Sequence, residues 1–443
     1  MQTGSSVTVT APPSKSLSHR ALIAAALAAG QSRIENVLES EDLERTRDCL
    51  AVAGARFERQ RGGYLVQGVS GAPAGGTREA VLIDVGESGT TCRLLTAVLA
   101  AGRGMFLIQG KGRMHERPIG ELTRALEGLG VTVRHLDKAG CPPLTLIASG
   151  LPGGRASISM DESSQYLSGL LLASPLAASE SLLEIGGSKA VSWPYVALTL
   201  DVLRDFGVDF SVERRSGATW SAIDFREPAD VAPGAVRFRV RPGAYAARTY
   251  RVEGDWSNAS YLLAAGALGR RPVTVAGLKQ TSLQGDRAIV DILRAMGARV
   301  EFFREGGAVT VYPATLHGVD VDMGHCPDLV PTVAVLASRA SSVTRITGVA
   351  HLRIKESDRL AAMAGEIAKT GAAAEVLPDG LRVQAAAKPV SGPVAFATYG
   401  DHRVAMSLSL YELAGIRPAF DNPACVAKSF PGFWERWREI VAA

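Results

Sequence analysis

Aromatic residues are scarce, only 6% of the 443 residues. With 47 glycines and an abundance of alanine, helices and backbones can approach closely. Cysteine is also sparse. Cys49, Cys92, Cys141, Cys326 and Cys425 lie far apart and form no Cys-x-x-Cys pair. This excludes a disulfide scaffold and any zinc site written into the spacing, and fits a reduced, cytoplasmic compartment. Charge imbalance is small: +4 is too weak to mark a nucleic-acid binder, yet suits a small anionic ligand if the cations are focused in one place. The longest apolar stretches, near 21–29 and 167–178, are too short or too interrupted to span a bilayer. The first residues show no basic segment followed by an apolar core, so no signal peptide is expected. The chain also lacks Gly-x-x-x-x-Gly-Lys-Ser/Thr, a glycine-rich strand-to-helix turn and a Gly-x-Ser-x-Gly elbow. Those absences remove the common ATP, dinucleotide and serine-hydrolase signatures.

What remains is an ordinary globular composition, 47% apolar and 21% charged, in a chain long enough for two or three domains. Its organisation is repetitive. An amphipathic helix that stops at glycine and feeds an alternating strand is expected at 43–54, 119–130, 195–207, 287–297 and 359–371. A further amphipathic helix, Phe433–Val441, lacks the glycine stop. Between these are helices apolar on nearly every side, beginning near Ser16, Ser88, Ser163, Ser257, Pro327 and Asp401. A helix apolar all round is a buried helix. The pattern predicts six βαβαββ units. The widest gap, 211–254, carries Pro228, Pro233, Pro242 and Gly243 and reads as the crossover between two halves of three units each. The opening strand, Val7–Thr10, could pair with either half.

The buried helices begin with polar residues, many of them cations or small hydroxyls: Ser14-Lys15-Ser16-Leu17-Ser18-His19-Arg20, Glu87-Ser88-Gly89-Thr90-Thr91-Cys92-Arg93, Glu162-Ser163-Ser164-Gln165 and Asp401-His402-Arg403. Free N–H groups and the positive end of the dipole make such a terminus a natural anion site. The amphipathic helices add Arg113 and Arg117, then Lys355 and Arg359, and Lys428 follows later. Guanidinium forks match carboxylates and phosphates. Each motif alone also reads as a helix cap, and Glu356 with Arg359 as a surface ion pair. Asp328 reads as a cap too, and 41–45 as a solvated charged face. Recurrence at equivalent places in successive units favours the anion-binding reading. His402 has no second His or Cys at ligand spacing, so no metal is expected.

These residues carry a resemblance. Pro13-Ser14-Lys15-Ser16-Leu17-Ser18-His19-Arg20-Ala21, Gly112-Arg113-Met114-His115-Glu116-Arg117-Pro118-Ile119-Gly120, Ser163-Ser164-Gln165, Val252-Glu253-Gly254-Asp255, Ile354-Lys355-Glu356-Ser357-Asp358-Arg359, Tyr399-Gly400-Asp401-His402-Arg403-Val404-Ala405-Met406 and Ala427-Lys428-Ser429-Phe430-Pro431 stand in order along the chain. Together they resemble the EPSP synthase (3-phosphoshikimate 1-carboxyvinyltransferase) family over essentially the whole length. The resemblance implies an α+β fold, the inverse α/β barrel (α/β prism) of enolpyruvyl transferases, with helices inside and sheets outside. It implies lobes at 14–253 and at 1–13 with 254–443, with the first strand in the C-terminal lobe and ligands in a cleft that closes on them.

The implied reaction joins phosphoenolpyruvate to the 5-hydroxyl of shikimate 3-phosphate and releases phosphate through a tetrahedral intermediate. By the same resemblance, Glu356 is the acid for the methylene carbon, and Asp328 and Lys15 handle the hydroxyl proton. Lys15, Ser16, Arg20, Ser163, Ser164, Gln165, Ser192, Tyr195, Asp328, His351 and Lys355 are implied to hold shikimate 3-phosphate. Lys15, Gly89, Arg117, Gln165, Arg359, Arg403 and Lys428 are implied to hold phosphoenolpyruvate, with Arg93, Asp255 and His402 in support. No metal, organic cofactor, nucleic acid or membrane is implied, and a monomer is expected.

The sequence departs from the family pattern in three places. Glu87 and His351 stand where asparagine is usual, and Trp193 where lysine is common. The nearest rival is the sister transferase acting on UDP-N-acetylglucosamine, which typically has a cysteine where this chain has Gly112. An RNA-end-binding protein on the related cyclase fold is disfavoured by the weak charge and by the lack of aromatics near Lys15, Arg117 and Arg403. A non-catalytic repeat scaffold would set its charges along an outer surface.

Overall fold

A computed structural model of the chain describes residues 6–226, 231–303, 307–388 and 390–442. Pro228 and the first five residues lie outside the described residues. The chain divides into two compact units, Lys15–Val252 and Met1–Ser14 with Glu253–Ala443.

Among its described residues the Lys15–Val252 unit carries six α-helices: α1 (Lys15–Leu27), α2 (Glu41–Val52), α3 (Gly89–Ala100), α4 (Gly120–Gly128), α5 (Gln165–Ala173) and α6 (Trp193–Asp205). The apolar helices α1, α3 and α5 are buried almost completely; Ala21 to Ala26 in α1 are at most 1% exposed. Fully burying a leucine or isoleucine contributes about 1.5–3 kcal/mol, so these helices supply much of the unit's core. Three sheets accompany them. Thr249–Arg251, Gln31–Glu35, Gly63–Gln67 and Arg56–Gln60 are neighbours in the first. Val81–Gly86, Arg103–Gly110, Leu144–Ser149 and Thr132–His135 form the second. The third has five strands: Thr219–Ala222, Phe210–Ser216, Val236–Val240, Ser181–Ala190 and Gly154–Met160. Alternating exposed and buried residues, as in Gln31–Glu35, give each sheet one covered face.

The second unit repeats the plan with α7 (Trp256–Leu268), α8 (Ile289–Ala295), α9 (Val330–Ala337), α10 (Arg359–Ala368), α11 (His402–Leu408) and α12 (Phe433–Val441). Here α7, α9 and α11 are the buried helices. The sheet Val7–Thr10, Val273–Ala276, Ala308–Val311, Val300–Phe303 has the same pairing as the second sheet of the other unit, one parallel pair followed by two antiparallel ones. So does Asp320–Asp322, Thr344–Thr347, Gly380–Gln384, Ala373–Leu377. The last sheet is a parallel pair, Gly392–Phe396 with Ile416–Phe420.

Five amphipathic helices end as the sequence predicts. Gly54, Gly130, Gly207, Gly297 and Gly371 all have φ between +78° and +114°, a backbone that a side chain would strain. Segment 211–254, read from the sequence as the crossover between halves, contains the division between the units but is not bare connection: up to Val252 it supplies strands of the five-stranded sheet and, with Thr249–Arg251, a strand of the first sheet. The division between units falls at its end, after Val252. The opening strand, ambiguous by pattern, pairs in parallel with Val273–Ala276.

Candidate active site

In the Lys15–Val252 unit, the starts of α1, α2 and α3 meet through a buried polar chain. Lys15 Nζ lies 2.9 Å from Asp42 Oδ2. Four residues on, His19 Nδ1 is 2.7 Å from Thr46 Oγ1, which is 2.7 Å from Thr91 Oγ1. Ser88 caps α3 by accepting from the Thr91 amide, and its hydroxyl is 2.7 Å from Thr91 Oγ1. Asp42 is 4% exposed, which corrects the reading of 41–45 as a solvated face. Only Glu41, Glu44 and their outward neighbours are solvated; Asp42, Thr46, Cys49 and Leu50 fall on the inner side of α2.

Arg93 and Arg117 sit at the next helix start. Arg93 Nε and Nη2 both donate to the Pro118 carbonyl, and Nη1 to Gln165 Oε1 at 3.1 Å. Tyr166 donates to the same carbonyl at 2.7 Å, beneath the Arg93 guanidinium. The peptide next to Arg117 is thereby fixed, with Arg117 Nη1 donating to the Glu87 carbonyl. Gln165 Nε2 donates to Thr90 Oγ1. Gly89, the first residue of α3, faces Arg117: a Cβ there would lie 2.6 Å from its Cζ.

Arg20 is 1% exposed and donates to Thr199 Oγ1, the Ser16 and Tyr195 carbonyls and Ser168 Oγ. Burial lowers its pKa to about 10, against the pull of Tyr195 and Tyr250. In this arrangement it braces α1 against α5 and α6. Ser163 and Ser164 are buried at the start of α5, and Ser163 Oγ accepts from the Gln165 amide. Ser192 precedes α6 in a left-handed conformation, φ 57°, a geometry that costs roughly 1–3 kcal/mol in a non-glycine residue. Trp193 is core, stacked on Phe238 at 6.0 Å.

The second unit holds a denser cluster. Arg359, 2% exposed, donates through Nε to Asp401 Oδ2 at 2.8 Å, through Nη1 to Asp328 Oδ1 at 3.0 Å and through Nη2 to Glu356 Oε2 at 2.8 Å. Arg403 Nη2 donates to Asp328 Oδ2 at 2.7 Å. Ser357 Oγ donates to Asp401, which also caps α11 by accepting from the Arg403 amide. The pair Glu356–Arg359, open on spacing alone to a surface reading, thus joins a buried arginine to a carboxylate only 13% exposed. Burial opposes ionisation of Asp328, but Arg403, Arg359 and Lys355 outweigh it and hold its carboxyl well below the usual range. Burial likewise disfavours the charged Arg359, and Asp401, Glu356 and Asp328 overcome it. Removing one partner from a buried ion network leaves charge uncompensated and costs about 3–5 kcal/mol.

Asp255 caps α7, accepting from the Asn258 amide at 2.7 Å, so its visible role is structural. His351, His402 and Lys428 are buried, and His402 Nδ1 is 4.0 Å from Asp401 Oδ1. Sequence reasoning missed Asp401 as the anchor of Arg359, and Asp286 altogether. Asp401 had a signal, since an acidic cap before His-Arg in a buried helix has no solvent to face. Among the described residues, no group of acidic, His and Cys side chains is arranged to hold a metal ion, and no helix is long and apolar enough to cross a membrane.

A family model described as EPSP synthase (3-phosphoshikimate 1-carboxyvinyltransferase) matches residues 2–223 and 224–437. The chain belongs to the EPSP synthase family. A 3-phosphoshikimate 1-carboxyvinyltransferase from Methanoculleus marisnigri is 43% identical over 428 residues, 96% of this chain and 94% of its own. One from Shewanella loihica is 38% identical over 98% of this chain and 96% of its own. Among solved structures, EPSP synthase from Acinetobacter baumannii matches with a TM-score of 0.73 at 25% identity, over 98% of this chain and 96% of that one. The enolpyruvyl transferase NikO from Streptomyces tendae has the same fold, with a TM-score of 0.70 at 19% identity over 99% and 95% of the two chains. The inverse α/β barrel expected from the sequence is therefore the fold of this chain.

Proposed function

We infer that this protein transfers the enolpyruvyl group of phosphoenolpyruvate to the 5-hydroxyl of shikimate 3-phosphate and releases phosphate. The observation that carries the reading is the buried Arg359 hub, which brings Glu356, Asp328 and Asp401 together with Arg403. The chemistry needs a carboxylic acid for the methylene carbon, a base for the acceptor hydroxyl, and cations for the substrate anions.

In this reading Glu356 gives a proton to the methylene carbon as the acceptor oxygen bonds to the neighbouring carbon. Asp328, kept ionised by its arginines, takes the hydroxyl proton, with Lys15 assisting. The product of addition is a tetrahedral phosphate ketal. Glu356 then recovers a proton from the new methyl group, the carbon–carbon double bond re-forms, and phosphate leaves. Arg117, Arg359, Arg403 and Lys428, with Gly89 and Gln165, hold phosphoenolpyruvate. Ser16, Arg20, Ser163, Ser164, Ser192, Tyr195, His351 and Lys355 hold shikimate 3-phosphate. Neither ligand needs a metal, because the guanidinium groups supply the positive charge.

The geometry at Gly112 favours this acceptor over UDP-N-acetylglucosamine. Gly112 has φ 55°, a left-handed backbone that a side chain such as the rival's cysteine would strain. The test is phosphate release from phosphoenolpyruvate with each acceptor. Release is expected with shikimate 3-phosphate and none above background with UDP-N-acetylglucosamine; the reverse overturns the reading.

A further inference from the structure

The cluster around Arg359 is balanced in charge: Lys355, Arg359 and Arg403 face Asp328, Glu356 and Asp401. A fourth carboxyl lies behind it. Asp286, 3% exposed, sits in the 3-10 turn Gly285–Ala288, which packs on α7 and on the 3-10 turn Pro327–Leu329 that carries Asp328. Its placement is fixed. Gln284, just before it, accepts from the Trp256 amide at 3.0 Å and donates to the Gly254 carbonyl at 2.8 Å and to Glu253 Oε1 at 2.7 Å. Ser257, in the first turn of α7, donates directly to Asp286 Oδ2.

We propose that Asp286 is a positioning residue for the transfer: a buried carboxyl, held by Ser257 in the turn packed on that of Asp328, that leaves Arg403 to Asp328. The proposal rests on the enolpyruvyl-transfer reading and goes beyond it. Two neighbouring carboxylates in a buried site cannot both ionise without a matching cation. Asp328 has two bonded arginines. The groups facing Asp286 are Ser257 and Asp255 from α7, Asp328 and Cys326 from the 327–329 turn and its cap, Arg403 from α11, and Glu253 through Gln284. Asp291 and Arg294 of the following helix pair with each other at the surface. Burial raises the Asp286 carboxyl well above the usual range, and Asp328 and Asp255 push the same way against Arg403 and Ser257. When Asp286 does ionise, it competes for Arg403 and adds negative charge where anions must bind.

The test is the pH profile of kcat/KM for phosphate release in the wild type, Asp286→Asn and Ser257→Ala. The wild type should fall as pH rises and Asp286 loses its proton. Asp286→Asn, with no charge to gain, should lack that limb. Ser257→Ala removes a hydrogen bond that favours the ionised form, so the limb should move up by about one pH unit. Three superimposable profiles, differing only in height, would make Asp286 merely structural and overturn the proposal. No turnover by the wild type at any pH would sink the transfer reading instead. Should Asp286→Asn not fold, infrared spectroscopy decides between wild type and Ser257→Ala. A protonated-carboxyl band that disappears at higher pH in the variant supports the proposal; an unchanged midpoint contradicts it.

Discussion

His19 is fully buried among groups that titrate. Burial pushes its imidazole down from 6.5 to about 3; Asp42 pulls the other way, and Lys15 and Arg20 add to the depression. Its ring therefore stays neutral in the fold while the unfolded chain takes up a proton below pH 6.5. This stabilising contribution is complete above that pH and is lost on acidification, at up to about 1.4 kcal/mol per pH unit. His19→Gln keeps a hydrogen-bonding group for Thr46 but cannot titrate. In urea unfolding between pH about 7 and about 5, the stability gap between wild type and variant should narrow as pH falls. A constant gap would show that His19 titrates alike in both states. At this scale the sequence discloses cations more readily than their partners. Lys15 stands out at a helix start, whereas Asp42 is hidden within a run of charges, and only its i, i+4 spacing with Thr46 marks it as inward-facing.

Elements carry the site through their termini. The start of α3 and the segment ending in Arg117 and Pro118 are locked together by Arg93, Tyr166 and Gln165, which fix the peptide beside Arg117. Gly89→Ala would place a methyl group inside the van der Waals radius of the Arg117 guanidinium. Arg117 must shift, and displacements of this size at a binding site cost on the order of 10²-fold. The expected result is a raised KM for phosphoenolpyruvate with the KM for shikimate 3-phosphate little changed; equal effects on both would contradict the assignment of Arg117. The helices and their glycine stops were legible because period and punctuation are local. Segment 211–254 was not. Val236-Arg237-Phe238-Arg239-Val240 alternates cleanly, yet no helix precedes it, and the prolines and glycines around it make the segment read as the crossover alone and hide its strands.

At the scale of the molecule, distant strands complete the sheets. Val7–Thr10 supplies the first strand beside Val273–Ala276, and Thr249–Arg251 does the same beside Gln31–Glu35. Such pairings leave no local trace, which is why the pattern alone could not place the opening strand. Deleting residues 1–10 removes an edge strand and the buried Val9. Amide exchange should then rise in Val273–Ala276 and Ala308–Val311 and stay unchanged in Gln31–Glu35. Uniform loss of protection would mean that the division into units has no energetic counterpart.

The most direct test of the whole account is Glu356→Gln, which removes the proposed proton donor and keeps the side chain's size and its hydrogen bonding. Calorimetric binding of shikimate 3-phosphate should persist while phosphate release falls by about 10²–10⁴-fold, the usual worth of general acid–base catalysis. Turnover within a few-fold of wild type would contradict the assignment of the reaction to the Arg359 cluster.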